Sequence, residues 1–551
     1  MSEEIKADVL IVGAGPVGLT LAMDLAQRGV RVVIVETRRY AEPPNVKCNH
    51  VAARTMEQFR RLGIAQKVRD TGLPADYPND VVFRTSLTGL PLTRIPIPCR
   101  RDRYTETDGP DAWWPTPEPP HRINQIFLEP ILLEYAASLP NVTLLNRTEV
   151  TGFEQDADEV RATARDLDSG AERTIRARYM AGCDGGRSMV RKQIGAAFEG
   201  TAVIQRVQST YIRAPQLMAM IPEPPAWSCY AMNPRRCGTV FTIDGKETWL
   251  VHNHLNAEEP EFDSVDRDYA IREILGVGPD FKYEVISRED WVGRRLVSNR
   301  FRNGRVFLAG DSAHIWMPYA GFGMNAGIGD AVNLAFLLAA CVQGWADEAM
   351  LDAYEAERQP ITEQVSRFAM NHALQMIKMK RGVPEDIEKP GPEGEAVRAE
   401  VGQGAYDLNV QQFCCGGLNF GYFYAGSPII ACDDEEAPVY TMDGFTGSTV
   451  PGCRAPHFWL RDGRSLYDAF GPGYTLLRLK KDTPVKALAD AAMAREVPLA
   501  VLDVDADEVP DAYRHALVLC RSDQHVVWRG DALPADCAAL VEKLRGVPET
   551  A

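Results

Sequence analysis

Residues 8–38 read DVLIVGAGPVGLTLAMDLAQRGVRVVIVETR and contain the pattern that decides the fold. Residues 9–12 are typical of a buried strand, 19–27 have the apolar spacing of a helix, and 30–35 are rich in β-branched residues, as in a second strand. Between the first strand and the helix, Gly13, Gly15 and Gly18 fit GxGxxG. This order predicts an α/β fold with a Rossmann-type unit that binds a dinucleotide.

The residues of this unit have separate tasks at a dinucleotide. Gly13 allows the tight turn, Gly15 lets a pyrophosphate approach the backbone, and Gly18 lets the helix pack on the strand. The helix N-terminus offers N–H groups and a positive dipole end to the phosphates. Glu36 ends the second strand, where its carboxylate can accept hydrogen bonds from ribose hydroxyls, which favours NAD or FAD over NADP. The residues expected to contact the dinucleotide are Gly13, Gly15, Pro16, Val17, Gly18, Glu36, Thr37 and Arg38.

Composition excludes several classes of protein. A chain of 551 residues with 45% hydrophobic and 25% charged residues is typical of a globular protein of two to four domains. Its net charge of −16 argues against binding to nucleic acid or to an anionic membrane surface. The start MSEEIKAD does not resemble a signal peptide, so we expect a cytoplasmic protein. Twelve cysteines without a CxxC pair predict reduced thiols and no metal site.

Two later segments narrow the choice of dinucleotide. In residues 178–195, RYMAGCDGGRSMVRKQIG, Asp184 and Gly185 follow a short apolar strand. In residues 304–311, GRVFLAGD, Gly310 and Asp311 end another strand. An aspartate on such a turn can hold a polyol hydroxyl, and glycines permit the close approach of a flat ring. The turn that follows, before a long apolar helix, contains the further candidates Pro318, Gly321, Gly323, Met324 and Asn325.

Together these segments resemble the group A flavoprotein monooxygenases, the FAD-dependent aromatic hydroxylases. The resemblance extends to residues 53–64, ARTMEQFRRLGI, which contain Arg54, and to residues 121–132, HRINQIFLEPIL, where Gln125 matches a flavin-contacting position. The short strands after residue 440 resemble the thioredoxin-like C-terminal domain of the phenol hydroxylase-like subgroup. Because this region has no CxxC, we expect it to serve packing or a dimer interface and not redox exchange.

The resemblance implies a Rossmann-type FAD-binding domain that is interleaved with a β-sheet substrate domain. The FAD-binding domain is expected at 1–75, 105–190 and 295–390, and the substrate domain at 76–104 and 191–294. Residues 391–440 are expected to form a connector, and 441–551 the thioredoxin-like domain. The polar, proline-rich stretch at 100–120 is interpreted as a surface loop or lid.

The resemblance also implies the chemistry. FAD is expected to bind non-covalently, NADH or NADPH to reduce it without a second Rossmann domain, and O₂ to form a flavin C4a-hydroperoxide that hydroxylates a phenolic or polycyclic aromatic substrate. Two alternatives remain open on the sequence. One is a monooxygenase of the same fold that inserts oxygen beside a ketone or epoxidises an alkene, and the other is a protein that binds FAD without turnover.

Five residues are candidates for orienting the substrate. Asn49 stands where relatives carry an Asp or His that faces the ring, and an amide can hydrogen-bond a substituent but cannot act as a base. Its neighbour His50 could titrate near neutral pH, although we expect it to be structural. Tyr230 and Arg235 are expected on the sheet above the substrate, where Arg235 could bind a phenolate or carboxylate or could simply be solvated. Pro318 is expected near the reactive edge of the flavin.

Overall fold

The structure, a computed structural model, describes residues 4–47, 49–112, 114–505 and 509–548. Its strands are β1 Glu4–Val12, β2 Val32–Val35, β3 Val81–Arg84, β4 Pro91–Ile95, β5 Val142–Leu145, β6 Thr148–Gln155, β7 Val160–Asp166, β8 Glu172–Gly182, β9 Phe198–Arg213, β10 Ser228–Ala231, β11 Gly238–Thr242, β12 Thr248–His254, β13 Glu284–Arg288, β14 Trp291–Ser298, β15 Arg302–Asn303, β16 Val306–Leu308, β17 His314–Trp316, β18 Tyr474–Arg478, β19 Leu499–Asp503, β20 Leu517–Arg521 and β21 Val526–Gly530. Its α-helices are α1 Pro16–Gln27, α2 Ala53–Arg61, α3 Ala65–Arg69, α4 Gln125–Ser138, α5 Met189–Gln193, α6 Arg267–Leu275, α7 Gly323–Gln343, α8 Asp352–Arg381, α9 Gly391–Phe413, α10 Gly416–Phe420, α11 Lys486–Met493 and α12 Cys537–Leu544.

The first sheet is the dinucleotide-binding sheet predicted from the sequence. Its path is β15-β16-β8-β1-β2-β5, with β6 and β7 attached beyond β8. The four pairings from β16 to β5 are parallel, and Val9 of β1 lies beside Val32 of β2. These central strands are almost fully buried because helices cover them, and this is why their sequence is a continuous apolar run.

The second sheet has nine strands and is mostly antiparallel. Its path is β17-β14-β9-β12-β11-β10-β3-β4, with β13 paired to β9. The edge strand β17 belongs to the segment between the Gly310–Asp311 turn and Pro318, so this sheet is joined directly to the predicted flavin turn. The third sheet, in the C-terminal region, has the order β19-β18-β20-β21 and carries α11 and α12. Its mixed four-stranded arrangement is the thioredoxin-like domain.

One helix of the described chain is long and apolar enough to cross a membrane by composition alone, within Tyr319–Gln343. In the structure, 89% of its most apolar window is buried inside the protein. Gly327 packs so closely on α1 that a Cβ there would lie 2.7 Å from Val17. The helix is therefore the central core helix, between α1 and the rest of the first core.

The region expected to be a connector contains a long helix, α9. Its composition is charged and glycine-rich, which favoured an irregular segment. The buried residues nevertheless recur at helical spacing, since Gly402, Ala405, Asn409 and Phe413 lie on one face. A Cβ at Gly402 would lie 2.3 Å from the carbonyl oxygen of Leu92, so the glycine lets α9 approach β4. This helix is therefore held against the protein by the close packing of its small residues, and its sequence has no continuous apolar stripe.

A buried ionic network joins the C-terminal domain to the rest of the protein. Arg521 of β20 binds both oxygens of Glu357 in α8 at 2.9 Å and also pairs with Asp523. In α2, Glu57 accepts hydrogen bonds from Arg54 and from Arg454 of the C-terminal region. All six side chains are buried. Burial alone would raise the pKa of Glu57, but the two guanidinium groups hold it below its usual range.

We predict that Arg521→Met destabilises the protein by about 3–5 kcal/mol, because Glu357 and Asp523 lose their shared cation while they remain buried. Urea unfolding followed by circular dichroism measures the change. Arg478→Met is the matched control, since Arg478 pairs with Asp503 at the solvent-exposed side of the same sheet, where an ion pair adds little to stability. Equal losses in the two variants would show that the buried network does not hold the domain in place.

Candidate active site

The turn between β1 and α1 forms an open cradle above the helix N-terminus. Gly13 has φ +104°, and a Cβ there would lie 2.4 Å from the carbonyl oxygen of Cys183. A Cβ at Gly18 would lie 2.1 Å from the carbonyl oxygen of Gly13. A Cβ at Gly15, in contrast, would meet nothing within 4 Å. Two glycines therefore allow the close packing of the turn, and the third borders the open space where a pyrophosphate fits.

Glu36 is held ionised at the end of β2. Its carboxylate accepts hydrogen bonds from the backbone N–H groups of Ala14 at 2.8 Å and Arg38 at 2.9 Å. Burial raises the pKa of Glu36, but these bonds and the Arg38 guanidinium lower it below the usual value. Arg38 also pairs with Glu129 at 2.6 Å, and Glu129 accepts a hydrogen bond from Gln125. Glu36 is thus connected to the start of α4. Thr37 lies beside it and donates to Glu36 at 3.3 Å.

Asp184 has one oxygen available for a ligand. Its Oδ2 accepts from the N–H groups of Met189 and Val190 at the start of α5, at 2.8 and 3.2 Å. Its Oδ1 is buried and has no hydrogen-bond partner within the described residues. An unpaired buried acceptor costs about 1–3 kcal/mol, which a ligand hydroxyl would recover. The neighbouring Gly185 has φ +74° and turns the chain away at this point.

The Gly310–Asp311 turn is fixed by a buried carboxylate that the sequence analysis did not single out. Asp330, in the middle of α7, accepts a hydrogen bond from the backbone N–H of Gly310 at 3.1 Å. It also bonds to His314 Nε2 at 2.8 Å and to Arg358 Nε at 2.9 Å. Burial raises the pKa of Asp330, but the interactions with His314 and Arg358 lower it below its usual value. The one acid in an apolar helix was the sequence feature that could have identified this anchor.

Asp311 faces the cleft. Its side chain is accessible from the cleft, and it makes no hydrogen bond to the described residues. Protein surrounds it on the other sides, and this desolvation raises the pKa of its carboxyl, while His314 and Lys47 act in the opposite direction. Gly310 is positioned against Val17, where a Cβ would lie 2.9 Å from the valine side chain. The turn therefore lies against the N-terminus of α1, beside the phosphate cradle.

The turn from Pro318 to Asn325 is tied to the segment that contains Asn49 and His50. The Asn325 side chain accepts from the N–H of Ala52 at 2.8 Å and donates to the carbonyls of His50 at 3.1 Å and Gly321 at 2.6 Å. Ala320 has φ +59°, an uncommon conformation for a residue with a Cβ. Pro318 is exposed, and Gly323 and Met324 begin α7.

His50 is buried and neutral. Its Nδ1 accepts a hydrogen bond from Arg122 Nη1 at 2.8 Å. Burial first, and then the positive charge of Arg122, lower the pKa of His50 well below its usual value. Arg122 in turn stacks on the ring of Trp227 at 4.5 Å. His50 therefore does not titrate near neutral pH. Arg122 is a buried cation beside Trp227 that the sequence analysis did not identify.

Asn49 is half-buried and bonded to the residue that caps α4. Asn124 Oδ1 accepts from the N–H of Ile126, so its amide nitrogen donates, and it does so to Asn49 Oδ1 at 2.5 Å. The amide nitrogen of Asn49 keeps its two N–H donors. The structure thus places Asn49 and His50 next to each other, with both side chains oriented by residues at the start of α4.

The remaining candidates lie in different places. Tyr230 of β10 is buried and stacks on Phe83 with the ring centroids 4.8 Å apart. It belongs to the same apolar cluster as Met317 and Tyr319. Arg235 is not brought to this group, because it pairs at the surface with Glu273 and Glu388. The guanidinium of Arg54, expected at the cofactor, is used in the buried ionic network instead.

Comparisons with protein families, with curated proteins and with solved structures show which proteins this chain resembles. Residues 6–369 match the model of an FAD binding domain, and residues 448–549 match that of the C-terminal domain of aromatic-ring hydroxylases. Two bacterial relatives are 4-methyl-5-nitrocatechol 5-monooxygenase from Burkholderia sp., 30% identical over 99% of this chain and 98% of its own, and a putative polyketide hydroxylase from Streptomyces halstedii, 32% identical over 83% and 77%. A solved structure of RebC with reduced flavin is 35% identical, with a TM-score of 0.89 over 99% of this chain and all of its own. Aklavinone-11 hydroxylase with FAD and aklavinone has a TM-score of 0.80 at 29% identity, over 98% of both chains.

We predict that Asp311→Ala weakens FAD binding by roughly tenfold or more, because a charge-assisted hydrogen bond of about 1.5–3 kcal/mol is lost. Apoprotein is titrated with FAD, and the quenching of flavin fluorescence gives the dissociation constant. Asp280→Ala, at an exposed position between α6 and β13, is the control and should leave this dissociation constant unchanged. Equal FAD affinity in Asp311→Ala and the parent would remove Asp311 from the cofactor site.

Proposed function

Because the chain belongs to the FAD-dependent aromatic hydroxylases, we propose that it hydroxylates a phenolic or polycyclic aromatic substrate with NAD(P)H and O₂, and that the residues of the cleft divide the work as follows. One observation carries the proposal. Three turns, at Gly13, Asp184 and Asp311, converge on the N-terminus of α1 and present an open cradle, an unpaired buried acceptor and an accessible carboxylate. A phosphate, a polyol and a second hydroxyl-bearing group are the ligands that such a set would hold.

The cofactor contacts are assigned from this geometry. We assign the pyrophosphate to the backbone at Gly15, Pro16 and Val17, the ribose to Glu36, and the ribityl chain to Asp184 and Asp311. The turn from Pro318 to Asn325 is assigned to the flat ring. When bound, FAD accepts electrons from NAD(P)H and activates oxygen. The protein supplies orientation and a dry site for that chemistry.

The substrate is assigned to the space between the Pro318 turn and the second sheet. The apolar cluster around Tyr230, Met317 and Tyr319 would exclude water from the ring. Asn49 would donate a hydrogen bond to a ring substituent and so orient it. Neither Asn49, which has no accessible pKa, nor His50, whose pKa is lowered, provides a base at neutral pH.

This lack of a base at the two positions favours keeping oxygen insertion beside a ketone as a second candidate function, since that reaction does not need a phenol to lose its proton. It uses the same cofactor contacts. Epoxidation of an alkene would use them too. All three reactions add one oxygen atom and give the same mass increase, so the position of the new oxygen, determined by NMR of the product, separates these outcomes from ring hydroxylation when the substrate contains both groups.

The domain division is also proposed. The strands β3, β4 and β9 to β13 lie within 76–104 and 191–294 and all belong to the nine-stranded sheet, which supports a substrate domain there. Residues 1–75, 105–190 and 295–390 would form the FAD-binding domain, although β17 adds an edge strand to the other sheet. A cytoplasmic location and a homodimer remain predictions, and gel filtration with light scattering tests the latter.

We predict that candidate phenols stimulate NADH or NADPH oxidation by the FAD-loaded protein and yield a product heavier by one oxygen atom. Absorbance at 340 nm gives the oxidation rate, and mass spectrometry with ¹⁸O₂ shows the source of the oxygen. The same protein without an aromatic compound is the control. Flavin that binds but is not reduced by either nicotinamide would leave only the FAD-binding function.

We predict that Asn49→Ala raises the apparent substrate constant and lowers the fraction of NAD(P)H oxidation that gives hydroxylated product, because a loosely held ring misses the activated oxygen. Product formed per NAD(P)H consumed, with hydrogen peroxide as the remainder, is the measurement. Asn45→Ala serves as the control, since Asn45 lies in the same segment but is exposed and pairs with Glu289. If coupling and affinity are the same in both variants, Asn49 does not face the ring.

A further inference from the structure

A second cavity lies at the end of the nine-stranded sheet, and its volume is about 500 Å³. It is lined by the start of β9, the loop after β10, the end of β12 and the C-terminal end of α8. None of the residues assigned to FAD lines it. Its wall includes several cationic side chains, namely Arg206, Arg235, Arg236, Lys380 and Arg381, against the acids Glu258 and Glu259.

Four of the lining side chains contain buried polar atoms without a hydrogen-bond partner among the described residues. They are Lys380 Nζ, His254 Nδ1, Gln205 Oε1 and Arg236 Nε. Lys380 is only 8% exposed and His254 only 9%. A few unpaired groups occur in any protein, but here four of them surround one cavity, and each unpaired group costs free energy.

The charge around Lys380 is positive and uncompensated. Arg235 and Arg236 are paired with carboxylates, whereas no acid pairs with Lys380 in the described chain. Burial lowers the pKa of Lys380 to about 8, so the ammonium form still predominates at neutral pH. Its positive charge also contributes to the lowered pKa of His254. A buried ammonium without a counter-ion is unfavourable, and an anion in the cavity would stabilise it.

The cavity lies close to the proposed substrate space. Gly293 of β14 lies against both regions, since a Cβ there would be 1.9 Å from Met317 Sδ and 3.3 Å from the carbonyl oxygen of Gln205. Met317 precedes Pro318, and Gln205 lines the cavity. On the other wall, Lys380 Nζ lies 6.0 Å from the centroid of the Tyr230 ring. A ring that contacts Tyr230 therefore lies near Lys380.

We propose that the substrate is an aromatic compound with an anionic substituent, such as a carboxylate, and that Lys380 pairs with this group while the ring lies toward Pro318. The inference rests on the proposed function and narrows its substrate class. Lys380 would be a specificity-determining residue distant from the flavin contacts. His254 and Gln205 would complete the hydrogen bonds, the histidine through its Nδ1 and the glutamine, after an amide flip, through its N–H₂.

The test compares three probes that differ in charge. FAD-loaded protein is titrated with 6-hydroxy-2-naphthoate, its methyl ester and 2-naphthol, and the flavin difference spectrum gives each dissociation constant. The parent is expected to bind the acid at least tenfold more tightly than the ester. Lys380→Met should abolish this preference, and Lys380→Arg should keep part of it. Lys378→Met, at an exposed position of the same helix, removes the same charge and should change nothing.

Further readouts separate the possible failures. Lys380→Met should melt at or above the temperature of the parent, because it removes an unpaired buried charge; a lower melting temperature would indicate a structural role and count against the proposal. A parent that does not distinguish acid from ester, or a Lys380→Met variant that still does, would overturn it. If the parent and Lys380→Met both hydroxylate 2-naphthol, the proposed function stands even when the proposal for Lys380 is overturned. If no probe is hydroxylated with either NADH or NADPH, the result counts against the proposed function itself.

Discussion

The hydrogen bonds of the buried Asp330 carboxylate are the interaction on which the site depends. This one group bonds to the Gly310 N–H, to His314 of β17 and to Arg358 of α8. It therefore fixes the turn that presents Asp311, the edge strand that leads to Pro318, and the register between α7 and α8. A buried carboxylate with three charged or polar partners is costly to disturb, because the loss of any partner leaves charge without compensation.

The same principle attaches the C-terminal domain. Glu357 is the neighbour of Arg358 in α8, yet its carboxylate points to Arg521 of the thioredoxin-like sheet. Arg54 connects Glu57 with the Asp523 carbonyl of that domain. Of these two consecutive residues of one helix, Arg358 thus binds the carboxylate that fixes the Gly310–Asp311 turn, and Glu357 binds the C-terminal domain. This arrangement explains why a domain without CxxC has a role in the fold: it buries and neutralises charges that lie directly behind the site.

The sequence predicted those parts whose local pattern is strong. The β1–α1–β2 unit, the three turns and the short C-terminal strands follow from apolar periodicity and glycine spacing. Helix α9 was missed because it packs through Gly402 and Ala405, which carry no apolar signal. Asp330, Arg122 and Lys380 were not identified because their importance comes from partners, or a missing partner, far away in sequence. Asn49 and His50 were singled out in the sequence, but the hydrogen bonds that orient their side chains come from Arg122 and Asn124, just before α4, and no local pattern indicates them.

Net charge is a poor guide to what this cleft binds. The chain carries a formal charge of −16, which by itself suggests a neutral or cationic ligand. Most of those acids are at the surface, where water and salt screen each of them beyond about 8–10 Å. Inside, no carboxylate of the described residues is hydrogen-bonded to Arg122 or Lys380. At low dielectric each of these charges acts more strongly on a nearby group than many exposed charges do. Near the proposed substrate space the buried charges without a carboxylate partner are therefore positive, and this local charge, not the net charge, is the basis for proposing an anionic substituent.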